Sequence, residues 1–120
     1  MKLKTEEIFS GIYLIGGANA THPEDAAVYL IDFSGDLILI DAGAGKSSNQ
    51  LVRNIEMLGF APTSITHVVL THCHIDHVGS APFFQKRYGA KIIIHELDAN
   101  PLETGDAIRT ASNWYGTSFP

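Results

Sequence analysis

The sequence predicts one α/β unit, and three observations carry that prediction. Apolar runs of strand length recur along the 120 residues, at 12–15, 26–33, 37–40, 65–70 and 91–95. Between the later runs lie stretches with helical spacing. No repeat, linker or low-complexity segment separates the two kinds of element.

Ile12 to Ile15 is a short strand ended by Gly16-Gly17, and the loop from Ala18 to Asp25 holds the turn formers Asn19, Thr21, His22 and Pro23. Ala26 to Phe33 and Leu37 to Ile40 then form an antiparallel pair about Ser34-Gly35, where glycine supplies the positive φ of a tight hairpin. Both runs are nearly continuous in apolar residues, the pattern of strands covered on both faces. Asp41-Ala42-Gly43-Ala44-Gly45 breaks the strand. Ser47 or Ser48 can cap a helix with apolar positions Leu51, Ile55 and Leu58, and Gly59 is placed to end it. Ile65 to Leu70 is another strand. Gly79-Ser80-Ala81-Pro82 opens a second helix, with proline tolerated in its first turn, that runs to about Tyr88 and closes at Gly89. Lys91 to His95 is a further strand, and Asn100 to Pro120 has little periodicity.

Composition bounds the function. Eight Lys and Arg against thirteen Asp and Glu give a net charge of -5 with no basic block, which argues against a nucleic-acid partner. No apolar run approaches the roughly 18 residues of a membrane span, and the opening Met1–Glu7 runs into acids instead of an apolar segment. A cytoplasmic protein with no membrane partner is expected. The lone Cys73 rules out a disulfide within the chain, so stability must come from a core, a metal or a partner.

The chemistry concentrates between the strand ending at Leu70 and the helix opening near Gly79. Four metal-ligand side chains, His72, His74, Asp76 and His77, fall within six positions. Imidazole nitrogens and a carboxylate oxygen suit Zn, Fe or Mn. In an extended loop the i, i+2 spacing puts His72 and His74 on one side, while Asp76 and His77 can point to a second nearby centre. The place fits as well, since ligands in open α/β folds sit beyond the carboxyl ends of strands. The bland alternative is a solvated polar loop, which this choice and spacing of residues disfavours.

Thr-His-Cys-His-Ile-Asp-His-Val-Gly at 71–79 resembles the H-x-H-x-D-H signature of the metallo-β-lactamase superfamily, whose fold is an αββα sandwich. Leu39-Ile40-Asp41-Ala42-Gly43 resembles the family's strand-ending Asp-x-Gly, and Ala27-Val28-Tyr29-Leu30-Ile31 its earlier Tyr-Leu-Ile strand. The three motifs come in the family's order and the match spans residues 8–98. The resemblance implies that His72 and His74 bind one metal and Asp76 and His77 another, with two zinc ions first and iron or manganese as alternatives. It also implies that a hydroxide on the metals attacks an ester, thioester or related bond, with Asp76 as the catalytic residue. Two metals about 3.5–4 Å apart acidify a shared water and stabilise the oxyanion. Asp41 would support the site from behind, orienting a ligand or backbone group.

The same resemblance requires a third histidine, a bridging aspartate and a last histidine from later in the fold. Only His95 follows His77, and it resembles a family position that is structural. The expectation is therefore a single unit over 1–120, the N-terminal αβ half of the sandwich, with 100–120 an irregular tail leading to a missing second half. Expected partners are a small-molecule ester or thioester, and a second copy of the chain or the missing C-terminal half over the sheet. The rival reading is a non-catalytic half-fold or assembly module with weak or no metal binding. It fits the ligand deficit but not the intactness of the histidine loop.

Other candidates are set aside on chemistry. Gly43 to Ser48 suggests a phosphate loop, but position 40, where its first glycine belongs, is Ile40. Strand alternation turns Cys73 away from the metals, as a packed spectator. His22 could line a pocket mouth, and His67 is expected to be packed or hydrogen-bonded. Trp114, Tyr115 and Phe119 are expected to pack against the second half.

Overall fold

Six strands lie side by side in sequence order: β1 (Glu6–Phe9), β2 (Ile12–Gly16), β3 (Val28–Phe33), β4 (Asp36–Ile40), β5 (Ile65–Val69) and β6 (Lys91–Ile93). The computed structural model describes residues 5–95. The predicted tail at 100–120, with Trp114, Tyr115 and Phe119, lies outside the described residues. The first four strands pair antiparallel and the last two join in parallel.

Local chemistry accounts for most of this order. The β3–β4 hairpin turns at Ser34 (φ 53) and Gly35 (φ 94), the double positive φ of the hairpin turn that matches strand twist. The Asp32 carboxylate accepts the Gly35 N–H at 3.2 Å and steadies the turn. A parallel pair cannot be joined by a tight turn. The chain therefore crosses from β4 to β5 through α1 (Ser48–Met57), and from β5 to β6 through α2 (Ile75–Val78) and α3 (Ala81–Tyr88). Both crossovers step the same way across the sheet. Crossovers of this kind are right-handed as a rule, so two that step the same way put their helices on one face, and α1 and α3 share one core cluster.

That face is the core. Leu30, Leu39 and Val68 lie opposite one another on β3, β4 and β5, and they pack with Leu51 and Ile55 of α1 and Phe84 of α3. Each is essentially fully buried, which contributes about 1.5–3 kcal/mol per side chain. Coverage on both faces is not what the described residues show. Along β3 and β4 full burial alternates with half burial, so Tyr29, Ile31, Ile38 and Ile40 form a second, half-exposed apolar face. Among the described residues, no helix is long and apolar enough to cross a membrane.

Four details depart from the sequence expectation. β1 was not anticipated, because all four of its residues are exposed and it holds the sheet edge through pairing with β2 alone. β6 ends at Ile93, short of His95. Ser47 takes the N-cap position of α1 without a side-chain cap bond, and the Ser48 hydroxyl meets that of Ser80 at 2.9 Å instead. Finally, the stretch expected to be extended contains the single helical turn α2.

Candidate metal centre

The short helix decides where the ligand-type side chains point. His74 remains extended as the residue before α2, and its carbonyl accepts the N–H groups of His77 (3.0 Å) and Val78 (3.2 Å). Ile75 and Val78, three apart on that turn, are fully buried. Their burial forces Asp76 and His77 onto the outer side, where both are half-buried.

Three of the four candidates converge. One ligand atom each from His72, Asp76 and His77 lies within 4.8 Å of the others. The His72 and His77 rings are 3.9 Å apart between centroids, and His77 Nε2 stands 3.7 Å from Asp76 Oδ2. His74 is exposed and outside that trio, although its ring lies edge-on to His72 at 4.8 Å. Two imidazoles and a carboxylate are a donor set that fits a divalent cation of the zinc, iron or manganese type.

Asp41 stands behind this cluster. It is buried, and it holds φ at +64, a conformation aspartate tolerates better than most residues. Its Oδ1 accepts the Thr71 N–H at 2.9 Å, and its Oδ2 accepts the Thr71 hydroxyl at 2.9 Å. Its Oδ2 also lies 2.9 Å from His77 Nδ1. A carboxylate only accepts, so Nδ1 carries the proton and Nε2 is left toward Asp76.

Charge and burial separate the two histidines. Burial lowers the pKa of His72, and the neighbouring His77 and His74 lower it further, against weaker opposition from Asp41 and Asp76. Burial also pulls His77 down, but its hydrogen bond to Asp41 and the charges of Asp41 and Asp76 outweigh it, so the net shift is upward.

The 41–44 strip holds the loop through its main chain. Ala42 N–H donates to the His77 carbonyl at 2.6 Å, Gly79 N–H to the Gly43 carbonyl at 2.7 Å, and Ser80 N–H to the Ala42 carbonyl at 3.3 Å. Two buried polar residues near this frame escaped the sequence reading. Asn54 donates to the carbonyls of Ile15 (2.8 Å) and Ala20 (3.1 Å), tying α1 to the loop after β2. A polar residue on the apolar stripe of α1 was the signal that could have marked it. Asp25 lay among turn formers and carried no such signal.

The remaining candidates fall as follows. Cys73 is buried. His67 Nδ1 meets the Thr66 hydroxyl at 2.8 Å, and His22 Nδ1 accepts the Glu24 N–H at 3.0 Å, closing a turn. His95 is exposed. A cavity of about 550 Å³ lies beyond the end of β2, lined by Leu14, Gly17, Asn19, Asp25 and Ala27 among others and by none of the four loop candidates.

Residues 23–118 match the family described as the metallo-beta-lactamase superfamily. A metallo-beta-lactamase fold-containing protein of Sulfurisphaera tokodaii is 31% identical over 99 residues, covering 82% of this chain and 35% of that protein. A ribonuclease Z of Pyrobaculum arsenaticum is 43% identical over 56 residues, covering 47% of this chain and 18% of its own. A solved metallo-beta-lactamase of Elizabethkingia meningoseptica superposes with a TM-score of 0.83 at 30% identity, over 99% of this chain and 42% of that one. A subclass B3 enzyme of Bradyrhizobium japonicum gives 0.82 at 29% identity, over 99% and 42%. The chain thus spans well under half the length of each of these proteins.

Proposed function

The chain belongs to the metallo-β-lactamase superfamily, and on that premise we propose that it acts as a metal-dependent hydrolase of a small-molecule ester or thioester. The observation that carries the reading is the convergence of His72, Asp76 and His77 within 4.8 Å, with Asp41 bonded to His77 from behind. A bound divalent cation, zinc first, supplies Lewis acidity and an acidified water at neutral pH. In the fuller reading two cations would be held, one by His72 and His74 and the other by Asp76 and His77.

The chain's own residues then have distinct tasks. Asp41 keeps the proton on His77 Nδ1 and so turns Nε2 toward the cluster. Asp76, half-buried and 3.7 Å from that Nε2, would use the carboxylate oxygen not held by the cation to take a proton from the water that attacks the substrate carbonyl. The net charge of -5 disfavours a polyanionic substrate. Lys46, the cation nearest in sequence on the 41–45 side, is paired with Glu24 at 2.8 Å. The ribonuclease names among the relatives make a phosphodiester the competing substrate.

The test is elemental analysis of protein purified without chelator, followed by hydrolysis of thioester, ester and phosphodiester substrates. The expected result is bound metal and ester or thioester turnover that falls at least about 100-fold in Asp76→Asn. Metal without turnover would favour a non-catalytic metal-binding module. Absence of metal would overturn the reading.

A further inference from the structure

The mechanism above leaves one buried acid without a task. Asp25 lies outside the histidine motif and is 6% exposed. Its Oδ1 accepts the Ala44 N–H at 2.7 Å, 19 residues along the chain, and its Oδ2 accepts the Thr21 hydroxyl. Thr21 in turn accepts the Gly17 N–H at 3.0 Å. The carboxylate is pressed so closely on the strip that a Cβ added at Gly43 would stand 2.8 Å from Oδ1.

The opposite side of the same strip carries the metal loop. Ala42 and Gly43 exchange main-chain bonds with His77, Gly79 and Ser80, and a Cβ at Gly79 would fall 2.1 Å from the Ala44 carbonyl carbon. One residue on from Asp25, the Ala26 N–H donates to the Asp76 carbonyl at 3.1 Å. Residues 41–45 are therefore clamped between the Asp25 carboxylate and the backbone that carries Asp76 and His77. Buried carboxylates are costly unless well bonded, and both oxygens here bond to this frame.

We propose that Asp25 is a positioning residue for the metal centre: by bracing residues 41–45 against the 17–21 loop it sets the placement of Asp76 and His77 relative to His72, although none of its own hydrogen bonds reaches them. The inference rests on the metal-binding part of the function proposed above. Residues bonded directly to metal ligands shift metal affinity by about 10–100-fold when lost, and Asp25, one layer further out, is expected to act at the lower end of that range.

The test is titration of the metal-free protein with Co²⁺, read by its visible absorption spectrum, with circular dichroism on the same samples. Asp25→Ala is expected to keep the folded signal, to weaken Co²⁺ binding at least tenfold and to alter the spectrum. Asp25→Asn restores most of the affinity, because its amide oxygen still accepts the Ala44 N–H while Thr21 turns to accept from the amide. If Asp25→Ala does not fold, Thr21→Val removes one of the two bonds and is expected to weaken binding about threefold. Affinity within twofold of the parent and an unchanged spectrum in every folded variant would overturn the proposal. No Co²⁺ binding by the parent protein would instead overturn the metal-dependent function, and this inference with it.

Discussion

His72 and His77 stand with rings 3.9 Å apart, yet their protons are held in opposite senses. In the metal-free protein, His77 is expected to titrate above the ordinary histidine value of about 6.5 and His72 below it. For His72, burial and two like-charged neighbours set the direction. For His77, the hydrogen bond to Asp41 overrides the burial that opposes it. The stability consequences differ in sign. The raised His77 contributes stability that is fully present below about pH 6.5 and is lost as pH rises through its folded value. The lowered His72 adds a cost that appears as pH falls below about 6.5 and is complete below its own folded value. Ring-proton NMR titration should resolve two midpoints on either side of 6.5. Asp41→Ala should move only the His77 midpoint far, and downward, because burial then acts with one fewer opponent. Coincident midpoints would refute the arrangement.

At the scale of elements, Gly79 is where the metal loop and the 41–45 strip meet. Its φ is not unusual. The reason for glycine is the contact, since a Cβ would stand 2.1 Å from the Ala44 carbonyl carbon and 2.3 Å from the Gly45 nitrogen. Backbone atoms cannot swing aside as a flexible side chain can. Gly79→Ala should therefore destabilise the metal-free protein by about 1–3 kcal/mol, the range typical of overpacking, by urea denaturation. A loss under about 0.5 kcal/mol, the size of an ordinary surface substitution, would show that the strip yields easily.

The same scale shows what could be read in advance. β2 to β5, α1 and α3 were legible because apolar spacing and glycine punctuation agree with where each ends. The motif at 72–77 was legible as donors in one place, and Asp41 as a residue near them, because both depend on order along the chain. β1 was not, since exposed Glu6 and Glu7 carry no apolar pattern and its place depends on the β2 partner. α2 was not, since one turn is too short for a period and its two buried residues merely flank the polar pair Asp76-His77. That turn is why Asp76 and His77 join His72 while His74 stays outside. Asp25 acts over 19 residues, a relation that local pattern does not contain.

For the whole molecule, the sheet has one face buried under helices and one face half-exposed. Two cross-strand rows run over the half-exposed face, Leu14–Tyr29–Ile40–Val69–Ile93 and Ile12–Ile31–Ile38–His67. His67 interrupts the second row, which runs on to the exposed Lys91, and Glu6 stands beyond Leu14 at the end of the first. None of the apolar members is fully buried among the described residues, and Ile93 is 48% exposed. Contiguous apolar surface of this kind drives association. A polypeptide of these 120 residues should therefore form dimers or larger species at micromolar concentration in sedimentation velocity. Ile31 and Ile38 lie directly opposite on β3 and β4. Replacing them with the pair Ile31→Lys and Ile38→Glu keeps a favourable cross-strand contact, worth about 0.2–1 kcal/mol, while it charges the middle of the face. The double variant is expected to sediment as a monomer with unchanged circular dichroism. If the parent is already monomeric and binds no hydrophobic dye, this face is covered from within the chain, and the sheet reaches two-sided burial without a partner.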